Sequence, residues 1–94
     1  MSKKLSVRIS DEVVFETIIQ MCAAADVDGQ IKPEDIAMTI YEPEWQSLLK
    51  RIRLAARQLT DAGHIEILRK GKPIDPNEVK GVYRLRITPH FFTH

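Results

Sequence analysis

The sequence predicts an α+β domain in which three helices precede a small antiparallel β-hairpin. Three observations carry this. Apolar residues recur at helical spacing in three stretches of the first two thirds of the chain. Alternating apolar and polar residues take over after Gly63. A loop bracketed by glycines and holding two prolines divides that alternating region into two strands.

The first helix is expected from Ser10 to Ala25. Ser10 is a good N-cap, because its hydroxyl accepts an orphan backbone N–H of the first turn. Asp11 and Glu12 follow where the helix dipole favours negative charge. Val14, Phe15, Ile18, Met21, Cys22 and Ala25 make one apolar face, and Asp26-Val27-Asp28-Gly29 ends the element with turn residues. Ile31 is placed to pair as a very short strand. Pro33 suits the first position of a second helix, followed by Glu34 and Asp35, with Ile36, Ala37 and Ile40 facing inward. This helix has about two turns, so packing must hold it.

The third helix is expected over Glu42 to Ala62, with Pro43 in its first turn. Its buried stripe is Trp45, Leu48, Leu49, Ile52, Ala56 and Leu59, and Gly63 stands where a left-handed C-cap belongs. His64 to Lys70 and Val82 to Thr88 are the strands, Gly71 to Gly81 is a long loop, and Pro89 ends the second strand. Helix, short strand, helix, helix, strand, long loop, strand is the winged-helix order, with the short strand completing a three-stranded sheet. The expected organisation is a flexible N-terminus over 1–9, one domain over 10–88 and a loose tail over 89–94, with Met1 to Lys4 frayed.

Composition narrows the function. The single cysteine, Cys22, leaves no intrachain disulfide and no C-x-x-C pair. It falls on the apolar face of the first helix and is expected buried and inert. The start of the chain has no apolar run of signal-peptide type, so a cytoplasmic location is expected. No run is apolar enough to span a bilayer. His90 and His94 are four apart, but Pro89 and the tail position argue against a metal. No Ser-His-Asp order, phosphate-cradling glycine loop or paired carboxylates stand out. The expectation is no enzyme, no cofactor, no metal and no evident small-molecule site.

Charge points to a polyanion partner. Residues 1–47 carry four basic and nine acidic side chains, a net −5, whereas residues 48–94 carry ten basic and four acidic, a net +6. On the third helix Gln46, Lys50, Arg53 and Arg57 fall at i, i+4, i+7 and i+11 opposite the apolar stripe. In a helix-turn-helix arrangement such a row enters the major groove, with Gln46 a base reader and the cations on guanine edges or phosphates. Arg69, Lys70, Lys72, Lys80, Arg84 and Arg86 gather on the hairpin, where phosphates are natural partners. In the alternation Arg84 and Arg86 share one face, while Tyr83, Leu85 and Ile87 share the other. Asp75 reads as structural, closing an Asx turn or pairing with Arg84.

These features lead to a duplex-DNA-binding module, with a protein–protein interaction module as the alternative. Leu54 separates the two. It falls on the exposed side of the third helix, and a patch shared with Val13 or Phe91-Phe92 would favour a protein partner.

The runs Ile31-Lys32-Pro33-Glu34-Asp35-Ile36-Ala37, Trp45-x-x-Leu48-Leu49 with Arg53, Ala56 and Leu59, and Gly63-His64-Ile65-Glu66-Ile67 resemble the domain-of-unknown-function family DUF3253. So does Lys70-Gly71-Lys72-Pro73-Ile74-Asp75-Pro76, followed by Gly81-x-Tyr83-Arg84-Leu85-Arg86, the most distinctive stretch. The likeness covers about residues 10–88. It implies a compact winged-helix-like fold and a bacterial source, and it brings no activity with it. This chain has Gln46 where members often carry arginine, and Lys32 where they often carry cysteine.

Overall fold

A computed structural model of the chain describes residues 7–92. The expected fraying of Met1 to Lys4 and the position of His94 lie outside the described residues. The fold is α+β, with α1 (Asp11–Ala25), α2 (Pro33–Tyr41), a 3-10 segment (Glu42–Leu48), α3 (Leu49–Asp61), β1 (Ile65–Arg69), β2 (Lys72–Pro73), β3 (Arg84–Ile87) and a helical turn α4 (Pro89–Phe92).

Local chemistry sets the ends of the first and third helices as expected. Ser10 caps α1, its Oγ accepting from the Val13 N–H at 3.2 Å. Gly63 has φ +85° just past the end of α3. The His64 N–H donates to the Leu59 carbonyl and the Gly63 N–H to the Thr60 carbonyl, both at 3.0 Å. These two bonds are the Schellman pattern, which leaves only a glycine unstrained at that position.

The third predicted helix is divided. Glu42–Leu48 is 3-10 in geometry, and Glu44 departs from helical angles at φ −132° and ψ 37°. Pro43 has no N–H to continue the ladder of α2, so the chain tightens and restarts as a regular helix at Leu49.

The sheet has order β2-β1-β3 and is antiparallel throughout. β1 and β3 pair as the expected hairpin, Ile67 opposite Leu85 and Glu66 opposite Arg86. The third strand is not Ile31. It is Lys72–Pro73, folded back on β1 through a two-residue turn. Lys70 and Gly71 both have positive φ, 52° and 78°, the type I′ signature that matches the twist of a hairpin. Ile31 instead makes an isolated bridge to Leu85, donating and accepting one backbone bond at 2.8 and 2.9 Å. The rest of the predicted loop holds a 3-10 turn at Pro76–Glu78. Asp75 caps it by accepting from the Asn77 N–H at 2.8 Å, so Asp75 closes an Asx turn.

The core lies between the helices and one face of the sheet. Val14, Ile18 and Cys22 of α1, Ile36 and Ala37 of α2, and Leu48, Ile52, Ala55 and Ala56 meet Ile65, Ile67, Tyr83, Leu85 and Ile87. Trp45 packs on this cluster from the 3-10 segment. Cys22 is fully buried, and burial pushes its thiol up to about 12. That keeps it as the protonated, unreactive form at neutral pH. Residues Pro89–Phe92, expected as part of a loose tail, form a helical turn. Phe91 packs on the core and sets its ring edge-on to His64 at 5.9 Å.

Gly29 is held by space. A Cβ there would lie 2.4 Å from the Ala25 carbonyl oxygen and 2.5 Å from the Ala25 Cβ. Gly29→Ala therefore forces the turn after α1 to shift. It is expected to lower unfolding free energy by about 1–3 kcal/mol in urea denaturation. An alanine variant as stable as the parent would contradict this packing.

Candidate nucleic-acid interface

The exposed end of the hairpin, where Lys80, Gly81 and Val82 lead into β3, stands beside α3. Two depressions flank it, and Gly81 and Val82 line both. Val82 is 80% exposed, so it forms a ridge between them.

On one side the ridge faces α3 across a groove of about 300 Å³. Leu49, Lys50 and Arg53 contribute from α3, Pro33 and Glu34 from the start of α2, and Tyr83 from the hairpin. On the other side lie Arg69, Lys70 and Lys80. Lys72 stands opposite Arg69 across the β1–β2 pair, which brings it beside the same group.

The ten cations and polar groups expected to act together fall into separate sets. Lys50, Arg53, Lys70, Lys72 and Lys80 are exposed and form no salt bridge among the described residues. Arg69 is exposed too, but its guanidinium donates to the Lys80 carbonyl and fastens the hairpin end. Arg57 donates to Asn77 Oδ1 at 2.7 Å, tying α3 to the loop after β2. Arg86 pairs with Glu66 directly across the β1–β3 ladder, its Nε at 3.2 Å and Nη2 at 2.8 Å from the same Oε1. Arg84 and Arg86 are half-buried and alternate with the core residues Leu85 and Ile87. They therefore occupy the sheet face turned away from α3, and the structure does not bring them to the α3 surface. Gln46 is exposed but lies in the 3-10 segment, so its four-residue spacing to Lys50 does not place the two in one row. Within α3 the Lys50, Arg53 and Arg57 spacing holds.

Arg51, just off that row, is a structural tether. Its Nη2 donates to the Ile9 carbonyl at 2.7 Å and to Asp11 Oδ1 at 2.8 Å, clamping the chain before α1 onto α3. Leu54 is 45% exposed and meets Phe15, Arg51 and Gln58 in a shallow depression. Neither Val13 nor Phe91 lines that depression, and the side chain of Phe92 lies outside the described residues.

Of the residues lining the groove only Lys50 and Arg53 were read from sequence as site residues; the polar side chains of Glu34 and Tyr83 were not. Glu34 was read as a first-turn residue of the second helix, and Tyr83 as sharing the strand face of Leu85 and Ile87. Tyr83 is 8% exposed, belongs to the core cluster and also lines the groove. Burial pushes its phenol up to about 12, with the Arg53 charge acting downward and the Glu34 charge upward. No group of three or more His, Cys, Asp or Glu among the described residues is placed to hold a metal. No helix among them is long and apolar enough to cross a membrane.

An α+β scaffold carrying an exposed basic helix and a basic hairpin is the class that fold and surface define. The chain matches the family described as protein of unknown function, DUF3253, over residues 11–88, and it belongs to that family. No curated protein matches it.

The Tyr83 shift has a consequence for stability. The phenol ordinarily titrates near 10 and is raised to about 12 in the fold. Burial of the neutral phenol contributes stability that is fully present below pH 10, and that stability is lost as pH rises through about 12. Thermal melts across that window should show a steeper loss for the parent than for Tyr83→Phe. Equal losses would place Tyr83 outside its buried site.

Proposed function

We propose that the chain is a non-enzymatic winged-helix module that binds duplex DNA, with α3 and the hairpin meeting the sugar–phosphate backbone together. The observation that carries this reading is the set of five exposed cations without acidic partners among the described residues. Lys50 and Arg53 lie on one side of the Val82 ridge, and Lys70, Lys72 and Lys80 gather on or beside the other. Exposed cations held on two rigid elements are what phosphate contact requires, and such contacts set register without reading bases. The polar row of α3 also shortens relative to the sequence expectation, because Gln46 leaves it and Arg57 is engaged by Asn77. That favours binding dominated by backbone charge over direct base readout. A cytoplasmic location and a bacterial source belong to the same reading.

The test is fluorescence anisotropy of a labelled random-sequence duplex over a range of salt. About five phosphate contacts give a log K against log salt slope near −4 to −5. Replacing Lys50 and Arg53 together by Ala should weaken binding and reduce the slope by about 2. Arg57 is left in place because it fastens the loop. A slope near zero would retire the DNA reading in favour of a protein partner, and an unchanged slope in the double variant would overturn the part assigned to α3.

A further inference from the structure

We propose that the groove between α3, the start of α2 and the hairpin is a binding site for a small monoanion with an apolar body, of the aromatic or branched aliphatic carboxylate class. Its volume of about 300 Å³ sets the size of the occupant. That is the lower end of the roughly 300–1,000 Å³ typical of ligand pockets, enough for a single substituted ring. Its charge sets the ionic form. Lys50 and Arg53 bring two positive charges and Glu34 one negative, a net charge of one. A single carboxylate balances that.

The walls supply the apolar part. Leu49 and Val82 face into the groove beside the Tyr83 ring, so an organic body gains contact area that an inorganic anion would not. Because burial holds the Tyr83 phenol protonated well above neutral pH, it remains a hydrogen-bond donor rather than a fourth charge. The site draws on two segments distant in sequence, residues 33–53 and 81–83, which is why no motif announces it. It goes beyond the duplex reading and is measured without DNA, so either can fail alone.

The experiment is a titration of the full 15N-labelled chain with 4-methylbenzoate and, separately, with the uncharged 4-methylbenzamide, followed by amide chemical shifts. The proposal requires saturable shifts at Glu34, Arg53, Gly81, Val82 and Tyr83. It also requires binding of the carboxylate about tenfold tighter than the amide, the worth of one charge-assisted hydrogen bond. Arg53→Gln should remove about that tenfold preference and leave the weak binding of the amide intact. Arg53 is exposed, so the variant is expected to keep the fold, and its own amide spectrum reports whether it does. Absence of saturable shifts, shifts centred elsewhere, equal affinity for the two probes, or a preference that survives Arg53→Gln would each overturn the proposal.

Discussion

The pair of backbone hydrogen bonds between Ile31 and Leu85 joins the two halves of the molecule. At 2.8 and 2.9 Å they fasten the connection between α1 and α2 to the middle of β3. Leu85 is itself fully buried and in register with Ile67, so the bridge is locked in the core. The next residues, Lys32 and Pro33, begin α2. That helix has nine residues and no side-chain cap, too little to persist alone in water. Anchoring its first turn beside the hairpin fixes Pro33 and Glu34 across from Gly81 to Tyr83, and α3 closes the third side. The groove and the exposed basic surface both follow from that one attachment.

The charges divide by chemistry as well as by place. Four of the arginines in the basic half do internal work. Arg51 holds the chain before α1, Arg57 the loop, Arg69 the hairpin end and Arg86 the sheet face. Each uses the planar, multi-donor guanidinium, which suits fixed acceptors. The side chains left exposed without acidic partners among the described residues include Lys50, Lys70, Lys72, Lys80 and Arg53. Lysine keeps its charge hydrated at the end of a flexible stem and so contributes to a field more than to a joint. The net +6 of the second half therefore overstates what a partner would meet.

Much of the fold was legible because its signals are local. Ser10, Gly63 and the alternation around Leu85 each act within a few residues, and each was placed correctly. The misreadings came where one local signal outweighed another. Pro43 was read as an acceptable first-turn residue, but it also ends the ladder of α2 and yields the 3-10 segment that displaces Gln46. Lys70-Gly71 lacks the Asn or Asp that usually marks a two-residue hairpin turn, so Lys72–Pro73 was taken for loop. Of the candidate interface, the cations of α3 and of the hairpin end were found by counting charge. Which arginines were already committed, and that Glu34 and Tyr83 share a groove with Arg53, depended on contacts between segments dozens of residues apart.

On the proposed duplex-binding reading, α3 and the hairpin end present one surface to DNA. The most direct measurement is an amide chemical-shift titration of the labelled chain with a short random-sequence duplex at low salt. The shifts should concentrate at Lys50, Arg53, Lys70, Lys72 and residues 80–83, and fade as salt rises. Shifts centred on α1 or on the Arg84–Arg86 face of the sheet, or none at all, would contradict it.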